Sequence, residues 1–404
     1  MKGFRVVPKT ILLIIDGVSD EPLRELQGRT PLECAFAPHL NYLASQGQVG
    51  RIRTTFDGYP IESMVCIMGL LGYNPETFYP SGRASFEAMA KGIPLQPRDL
   101  VFRCNTITIS EVNQTLTDFT AGLISDSSAR QLVSQIELPC PNWDLYPGQS
   151  YRNVLIIRNA GVAPHDLKCA EPHMHIGAKA QDILVQAKSE RIKDLVEQIN
   201  GFLMGTQSQI AKMDLPADCK ANMLWVWSPS SKPLWPSFKE RTGLTAAIVG
   251  GLDFLHGVAM AARIHFDVIP GATGYIDTDY SAKARYAVNY VDNFDFVLVH
   301  INAADEEAHQ RNHAGKIMAI EKIDALLLGP LVRALREKYS DNFRIAICGD
   351  HMTRCHDGKH ADAPVPFVVY GRGIEPSGSN FSERSCAPAD PIPSLKFLDH
   401  IRTA

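Results

Sequence analysis

Six side chains in this 404-residue sequence have the types and spacing of metal ligands. Asp16 closes the apolar run Ile11-Leu12-Leu13-Ile14-Ile15. Asp305 and His309 lie four apart in Asp305-Glu306-Glu307-Ala308-His309, so a helix would put both on one face. Asp350 and His351 follow the run Phe343–Cys348. His360 opens His360-Ala361-Asp362-Ala363-Pro364-Val365-Pro366-Phe367, whose prolines predict a rigid loop. Three carboxylates and three imidazoles are about what two divalent ions need when a hydroxyl and a substrate oxygen complete the shells. Two such ions about 4 Å apart can stabilise the attacking and leaving oxygens of an in-line displacement.

The hydroxyl candidate is Ser63, in Pro60-Ile61-Glu62-Ser63-Met64-Val65, just ahead of an apolar helical run ending in Leu70-Leu71-Gly72-Tyr73. At a helix start it would have free N–H groups and the positive dipole end beside it, which suit a phosphate. Metal coordination would activate it. Taken singly, each residue has a plainer reading. A strand-end Asp caps a helix, an Asp–His pair at i,i+4 makes a surface hydrogen bond, and Ser63 is an ordinary N-cap.

Positioning these groups requires strands that end at one edge. Ile11–Ile15 is a continuous apolar run, and Phe294–Ile301 and Phe343–Cys348 are largely apolar, the pattern of strands buried on both faces of a parallel sheet. Each is followed by an acid, where open α/β sheets bind ligands. Helices are expected between them. Thr30-Pro31-Leu32-Glu33 is a capping box with Pro at the first helical position. Lys316–Leu328 is amphipathic, and Ala246–Ala262 reads as a buried helix. The middle of the chain alternates short strand-like runs (Thr106–Ile109, Val154–Ile157) with polar turns and a long helical stretch near Ala180–Met204. It carries no strong motif and reads as an inserted α+β domain. The expected organisation is an α/β core of mostly parallel sheet (residues 1–100 and 216–404) interrupted by a smaller lid (101–215). Hinges fall near 95–105 and 215–230, and the Pro-rich stretch Ser228–Pro236 forms a return loop.

Composition is that of a soluble enzyme, with 45% apolar and 21% charged residues. A net charge of -4 argues against nucleic acid or an anionic membrane as partner. No run is long enough to span a bilayer, and the basic start Met1–Arg5 leads into an apolar run too short for a signal segment. Nine scattered cysteines without CxxC spacing read as free thiols in a reducing compartment, the cytoplasm.

The motifs, in this order, resemble the archaeal type of cofactor-independent phosphoglycerate mutases, within the alkaline phosphatase superfamily. The likeness runs through Ile15-Asp16-Gly17, Gly28 to Glu33, Leu70 to Pro75, Gly82-Arg83 with Phe86-Glu87-Ala88, and Phe102 to Asn105. It continues in Tyr151-Arg152, Pro164-His165-Asp166, Pro270 to Tyr275, Asp305 to His309, Ala319 to Asp324, and His360 to Phe367. The resemblance implies phosphoryl transfer through a phosphoserine at Ser63, without bisphosphoglycerate and on a small phosphorylated metabolite. It implies one metal held by Asp16, Ser63, Asp350 and His351, and a second held by Asp305, His309 and His360. Manganese is the expected ion, with zinc or cobalt as alternatives. Arg83, Arg103 and Arg152 are the implied substrate clamps, with surface or structural ion pairs as the plainer reading. Lys91, Arg158, His165 and Arg354 are weaker candidates, and His173 and His175 are expected to be solvated.

Two stretches depart from the family. The residue after the serine, usually Asp, is Met64, and a polar position three further on is Ile67. The family's lid stretch Asp-Arg-Arg-Ala-Gly-Arg is here Asp118-Phe119-Thr120-Ala121-Gly122-Leu123. Three bidentate anion clamps are thereby lost. The pattern is similar to a branch proposed to be homoserine kinases, although no P-loop is present. The readings are therefore a phosphomutase on phosphoglycerate or a diverged substrate, a homoserine-kinase-like phosphotransferase, a phosphatase, or a non-catalytic relative stabilised by its metals.

Overall fold

A computed structural model describes residues 8–216 and 219–403. The basic start Met1–Arg5 lies outside the described residues. The chain falls into two compact units, Met1–Phe78 with Trp235–Ala404, and Tyr79–Leu234.

The first unit is built on an eight-stranded sheet. Its spatial order is His265–Phe266, Ala246–Val249, Phe296–Ile301, Lys9–Ile15, Phe343–Cys348, Val365–Gly371, Gln48–Arg53 and Ile392–Pro393. The five strands from His265–Phe266 to Phe343–Cys348 run parallel to one another, and Val365–Gly371 runs antiparallel to both of its neighbours. Phe296–Ile301 and Phe343–Cys348 are buried at every position, as their largely apolar sequences predict. Helices such as Tyr280–Asn293 and Gly329–Tyr339 place Ala287, Val291, Leu331 and Leu335 into the same core as Ile11, Leu13, Val297 and Ile345. The register pairs Ile15 with Ile301 and Ile14 with Cys348, so three strands end at one level. The residues after them, Asp16, Asn302 to Asp305 and Gly349 to His351, are delivered to one edge.

Thr30 forms its capping box with both reciprocal bonds, Glu33 N–H to Thr30 Oγ1 at 3.1 Å and Thr30 N–H to the Glu33 carboxylate at 3.1 Å. The stretch Ala246–Ala262 is not one helix. Ala246–Val249 is a strand, and the helix covers Asp253–Ala262. Four apolar residues fit either state by pattern. Parallel pairing with Phe296–Ile301 decides for the strand, and Gly250-Gly251 turns the chain between them. At Gly251 an added Cβ would lie 2.8 Å from the Thr273 carbonyl. The amphipathic stretch Lys316–Leu328 divides into a helix, His313–Lys322, and a wide π turn over Ile323–Leu328.

The second unit carries a five-stranded antiparallel sheet. Its long strand Leu100–Ile109 pairs with Leu116–Asp118, Arg152–Ile157 and Met223–Ser230, and Trp143–Tyr146 pairs with Arg152–Ile157. The unit starts at Tyr79 and ends at Leu234, wider than the 101–215 read from sequence. The helix Ala84–Ala90 packs on Leu100–Ile109, and Met223–Ser230 pairs along it, so both belong to this core. Its long helix is Lys193–Ile210, later than the expected Ala180–Met204. Short 3₁₀ turns and a two-residue strand, Gln186–Ala187, occupy the preceding segment. Ser228–Ser230 of the expected return loop belong to a strand rather than a loop.

Candidate metal centre

Gly17 follows Asp16 with φ +62°, and a Cβ there would lie 2.8 Å from Asp305 Cα and Oδ1. Only glycine lets the strand-end turn approach Asp305 so closely. Asp305 and His309 share the helix Ala303–His309, and their side chains meet at 3.2 Å (Oδ2 to Nε2). His360 sits on the small hairpin Met352–Arg354 with Lys359–Ala361, its Nε2 3.5 Å from Asp305 Oδ1 and 3.1 Å from His309 Nε2. His351 Nε2 lies 3.5 Å from Asp16 Oδ1 and 3.6 Å from Asp350 Oδ2. Ser63 is the first residue of the helix Ser63–Leu70, after an N-cap at Glu62. Its Oγ lies 3.1 Å from Asp16 Oδ2 and 3.3 Å from His351 Nε2. The side chain is directed into this cluster and does not cap the helix, unlike the plainer sequence reading.

All seven residues singled out in the sequence thus come together. Among the described residues, donor atoms close enough to share one ion form two groups, Asp16 with Asp350 and His351, and Asp305 with His351 and His360. His351 belongs to both, and His309 adjoins the second through Asp305 and His360. Met64 and Ile67, where the family has polar residues, are buried.

Hydrogen bonds fix the tautomers of the three imidazoles. His309 Nδ1 faces the Gly358 carbonyl at 2.8 Å and His360 Nδ1 the Ile61 carbonyl at 2.5 Å. A carbonyl only accepts, so each Nδ1 carries hydrogen. Thr353 Oγ1 donates to Asp305 Oδ1 at 2.6 Å, so it accepts from His351 Nδ1 at 3.1 Å. Every Nε2 therefore offers the cluster a lone pair in the neutral ring. Two such lone pairs 3.1 Å apart, on His309 and His360, repel unless a cation lies between them or one is protonated.

The carboxylates tell the same story. Burial, then Asp350 and Asp305, hold Asp16 well above the ordinary carboxylate range. Burial also raises Asp350, but His351 and His300 outweigh it and bring it below its usual value. Burial acts likewise on Asp305, and the bonds from His309 and His360 drive it well below. The bond to Asp305 pushes His309 up to about 9, so in the metal-free site a proton occupies the place of a cation. Burial lowers His351. Among the described residues, buried Asp16 Oδ1 and Asp350 Oδ2 find no hydrogen-bond partner. Buried polar atoms are rarely left so. Orphaned carboxylate oxygens beside aligned imidazole lone pairs fit divalent ions with mixed oxygen and nitrogen ligands.

Sequence reasoning passed over His300, Thr353 and Gly17. His300 is buried in the strand Phe296–Ile301, 3.2 Å from Asp16 Oδ2, and burial lowers it to about 4. A histidine inside a wholly apolar strand was the available signal. Thr353 and Gly17 carry none, because their roles arise from contacts distant in sequence.

In the second unit, Arg103 is buried and pairs with Glu87 at 3.1 Å, and Arg83 lies 3.5 Å from the same carboxylate. Arg103 also covers the Trp227 ring at 4.2 Å, and Arg152 the Tyr151 ring at 4.6 Å. The weaker candidates fall elsewhere. Arg158 is held by Asp99 and Asp144, Arg354 by Asp357, and Lys91 and His165 are exposed. His173 is exposed, and its ring also contacts Phe119 and Trp227 at centroid distances of 6.0 and 5.6 Å.

Sheet and site together define an α/β protein with a paired acid–imidazole centre at its strand ends. The family model for 2,3-bisphosphoglycerate-independent phosphoglycerate mutase matches residues 44–214. The probable 2,3-bisphosphoglycerate-independent phosphoglycerate mutase of Geobacter sulfurreducens is 34% identical, over 94% of this chain and 96% of its own. That of Methanosarcina acetivorans is 33% identical, over 97% and 98%. The solved cofactor-independent phosphoglycerate mutase of Thermoplasma acidophilum aligns with a TM-score of 0.64 at 29% identity, covering 98% of both chains. The PH0037 protein of Pyrococcus horikoshii aligns at 0.79 and 25%, covering 98% and 97%. The chain belongs to the 2,3-bisphosphoglycerate-independent phosphoglycerate mutase family, whose members are isomerases that depend on metal. All nine cysteines are free thiols, and no helix among the described residues is long and apolar enough to cross a membrane.

Proposed function

We propose that the protein transfers a phosphoryl group on a small phosphorylated metabolite through a phosphoserine at Ser63, in the manner of a phosphoglycerate mutase. The observation that carries this is the place of Ser63 Oγ, 3.1 Å from Asp16 Oδ2 and 3.3 Å from His351 Nε2 at the start of a helix. Asp16, Ser63, Asp350 and His351 would hold one divalent ion, and Asp305, His309 and His360 the other. Such ions supply positive charge to the entering and leaving oxygens.

Ser63 Oγ attacks phosphorus, the Oγ–P bond forms and the ester O–P bond breaks. The proton that Ser63 gives up, along its bond to Asp16 Oδ2, balances the one the departing oxygen takes. The free N–H groups of the first helical turn face the incoming charge. A hydroxyl of the same or another molecule then takes the phosphoryl group back. Asp350 accepts from the N–H groups of Gly17 and His351, at 3.2 and 2.9 Å, which orients its other oxygen toward the centre. Arg83, Arg103 and Arg152 are the second unit's candidates for pairing with anionic groups. A second reading, a homoserine-kinase-like phosphotransferase, is favoured by the stretch Asp118 to Gly122, which lacks the family's arginines.

The test is phosphorus NMR of the manganese-loaded protein with 3-phosphoglycerate, and separately with ATP and homoserine, followed by mass spectrometry of the acid-quenched chain. Phosphate on Ser63, and a loss of about 10³-fold or more in turnover for Ser63→Ala, are expected. Full turnover by Ser63→Ala would overturn the assignment.

A further inference from the structure

Among the described residues, three buried polar atoms without a hydrogen-bond partner lie close together: Asp16 Oδ1, Asp350 Oδ2 and His300 Nε2. The two carboxylates belong to the metal group that they form with His351, and His300 stands outside it. Its nitrogen is therefore buried, unpartnered and not placed as a ligand. The strand that carries it, Phe296–Ile301, is buried throughout, and its other five residues are apolar. An aliphatic side chain would pack there without stranding a polar atom, and a stranded one is costly.

The ring is held where it is. Its strand pairs with Lys9–Ile15, with His300 opposite Ile14, and with Ala246–Val249 on the other side. Phe254 meets the ring edge-on at a centroid distance of 6.1 Å. These contacts fix Nε2 3.2 Å from Asp16 Oδ2. That oxygen accepts its hydrogen bond from Ser63 Oγ, at 3.1 Å. His300 is within reach of the same oxygen but is not aligned with it.

The bond from Ser63 does not outlast attack on phosphorus. The Oγ–P bond forms, the ester O–P bond breaks, and the Ser63 proton is balanced by the one the departing oxygen takes. Ser63 Oγ then has no hydrogen to give. Asp16 as a metal ligand is ionised and only accepts. Freed from Ser63, its Oδ2 can turn to a nitrogen already beside it, with hydrogen on Nε2.

We infer that His300 is a positioning residue that takes over Asp16 Oδ2 when Ser63 loses its proton, and so keeps Oδ1 turned toward the first metal group through the phosphoserine stage. A bond made only after the ground state lowers the barrier rather than tightening substrate binding. This rests on the phosphoserine reading, since a serine that kept its proton would keep its bond.

The experiment is a double-mutant cycle in manganese affinity, by competition with a fluorescent chelator on the full-length protein without substrate. Ser63→Ala imitates loss of the serine donor. His300→Met and His300→Gln have similar size, and only glutamine keeps a donor, so comparing them cancels the packing loss. With Ser63 present, the two variants should bind manganese within about threefold of each other. In the Ser63→Ala protein, His300→Met should bind about tenfold or more weakly than His300→Gln, the scale of groups that orient ligands. Equal affinities of the two variants in the Ser63→Ala protein overturn the inference, as does the same gap in both backgrounds. Acid-quench mass spectrometry of the unmutated chain separates this from the parent reading. Phosphate on Ser63 together with equal affinities retains the phosphoserine and discards the role of His300. A gap confined to the Ser63→Ala protein, without phosphate on Ser63 after turnover, removes the phosphoserine and the takeover with it.

Discussion

Thr353→Val isolates the link between the two halves of the centre. Thr353 is fully buried, and its one hydroxyl serves both halves. It donates to Asp305 Oδ1 at 2.6 Å and accepts from His351 Nδ1 at 3.1 Å. Valine keeps the shape and removes both bonds. A hydrogen bond to a charged acceptor contributes about 1.5–3 kcal/mol, and a buried N–H left unsatisfied costs about 1–3 kcal/mol. The metal-free variant is therefore expected to lose about 2.5–6 kcal/mol. The imidazole also loses the acceptor that sets its tautomer, and groups that orient ligands in this way are each worth about 10–100-fold in metal affinity. The assay is competition of manganese against a fluorescent chelator, beside a thermal melt of the metal-free protein. Thr353→Ser should recover most of both losses. An affinity within about twofold of the unmutated chain, at an unchanged melting midpoint, would refute the tautomer argument and with it the reason for reading all three Nε2 atoms as ligands.

Two further outcomes follow from the same geometry. Metal must displace the proton on His309, whose ordinary value of 6.5 is raised to about 9 by Asp305. Apparent affinity should rise up to about tenfold per pH unit between these values and level off above them. The metal-free fold behaves oppositely, because a raised folded-state value stabilises fully at low pH and the gain fades as pH climbs toward about 9. Metal titrations and melts across this window check both signs, and a flat affinity profile would remove the proton from the site. Lys316 and Asp20 form a fully buried pair at 2.8 Å, and Lys316 also donates to the carbonyls of Ser19 and Thr353. Lys316→Met should cost about 3–5 kcal/mol in denaturant unfolding, since it strands the Asp20 charge, and adding Asp20→Leu should recover part of it.

The sequence alone determined what short-range physics controls. Lys9–Ile15, Phe296–Ile301 and Phe343–Cys348 are apolar at nearly every position, and a strand buried on both faces has little other choice. Thr30 and Glu33 cap their helix by contacts three residues apart, and Asp305 with His309 needs only one helical turn. Type and order also marked Ser63, Asp350, His351 and His360 as partners in one centre, and placed Arg103 among the candidates for anion binding. Only tertiary structure decided the rest. Ala246–Val249 became a strand because a neighbouring strand supplied its hydrogen bonds, a contact to residues some 50 positions away. His351 lies within reach of both metal groups because the strand before it pairs beside the strands that precede Asp16 and Asp305. Thr353, His300 and Gly17 acquire their meaning from single distances to Asp305 and Asp16. Phe119 and His173, more than 50 residues apart, come into ring contact only in the folded second unit, where His173 also meets Trp227. Local pattern encodes the elements, and the site is encoded in where those elements end beside one another.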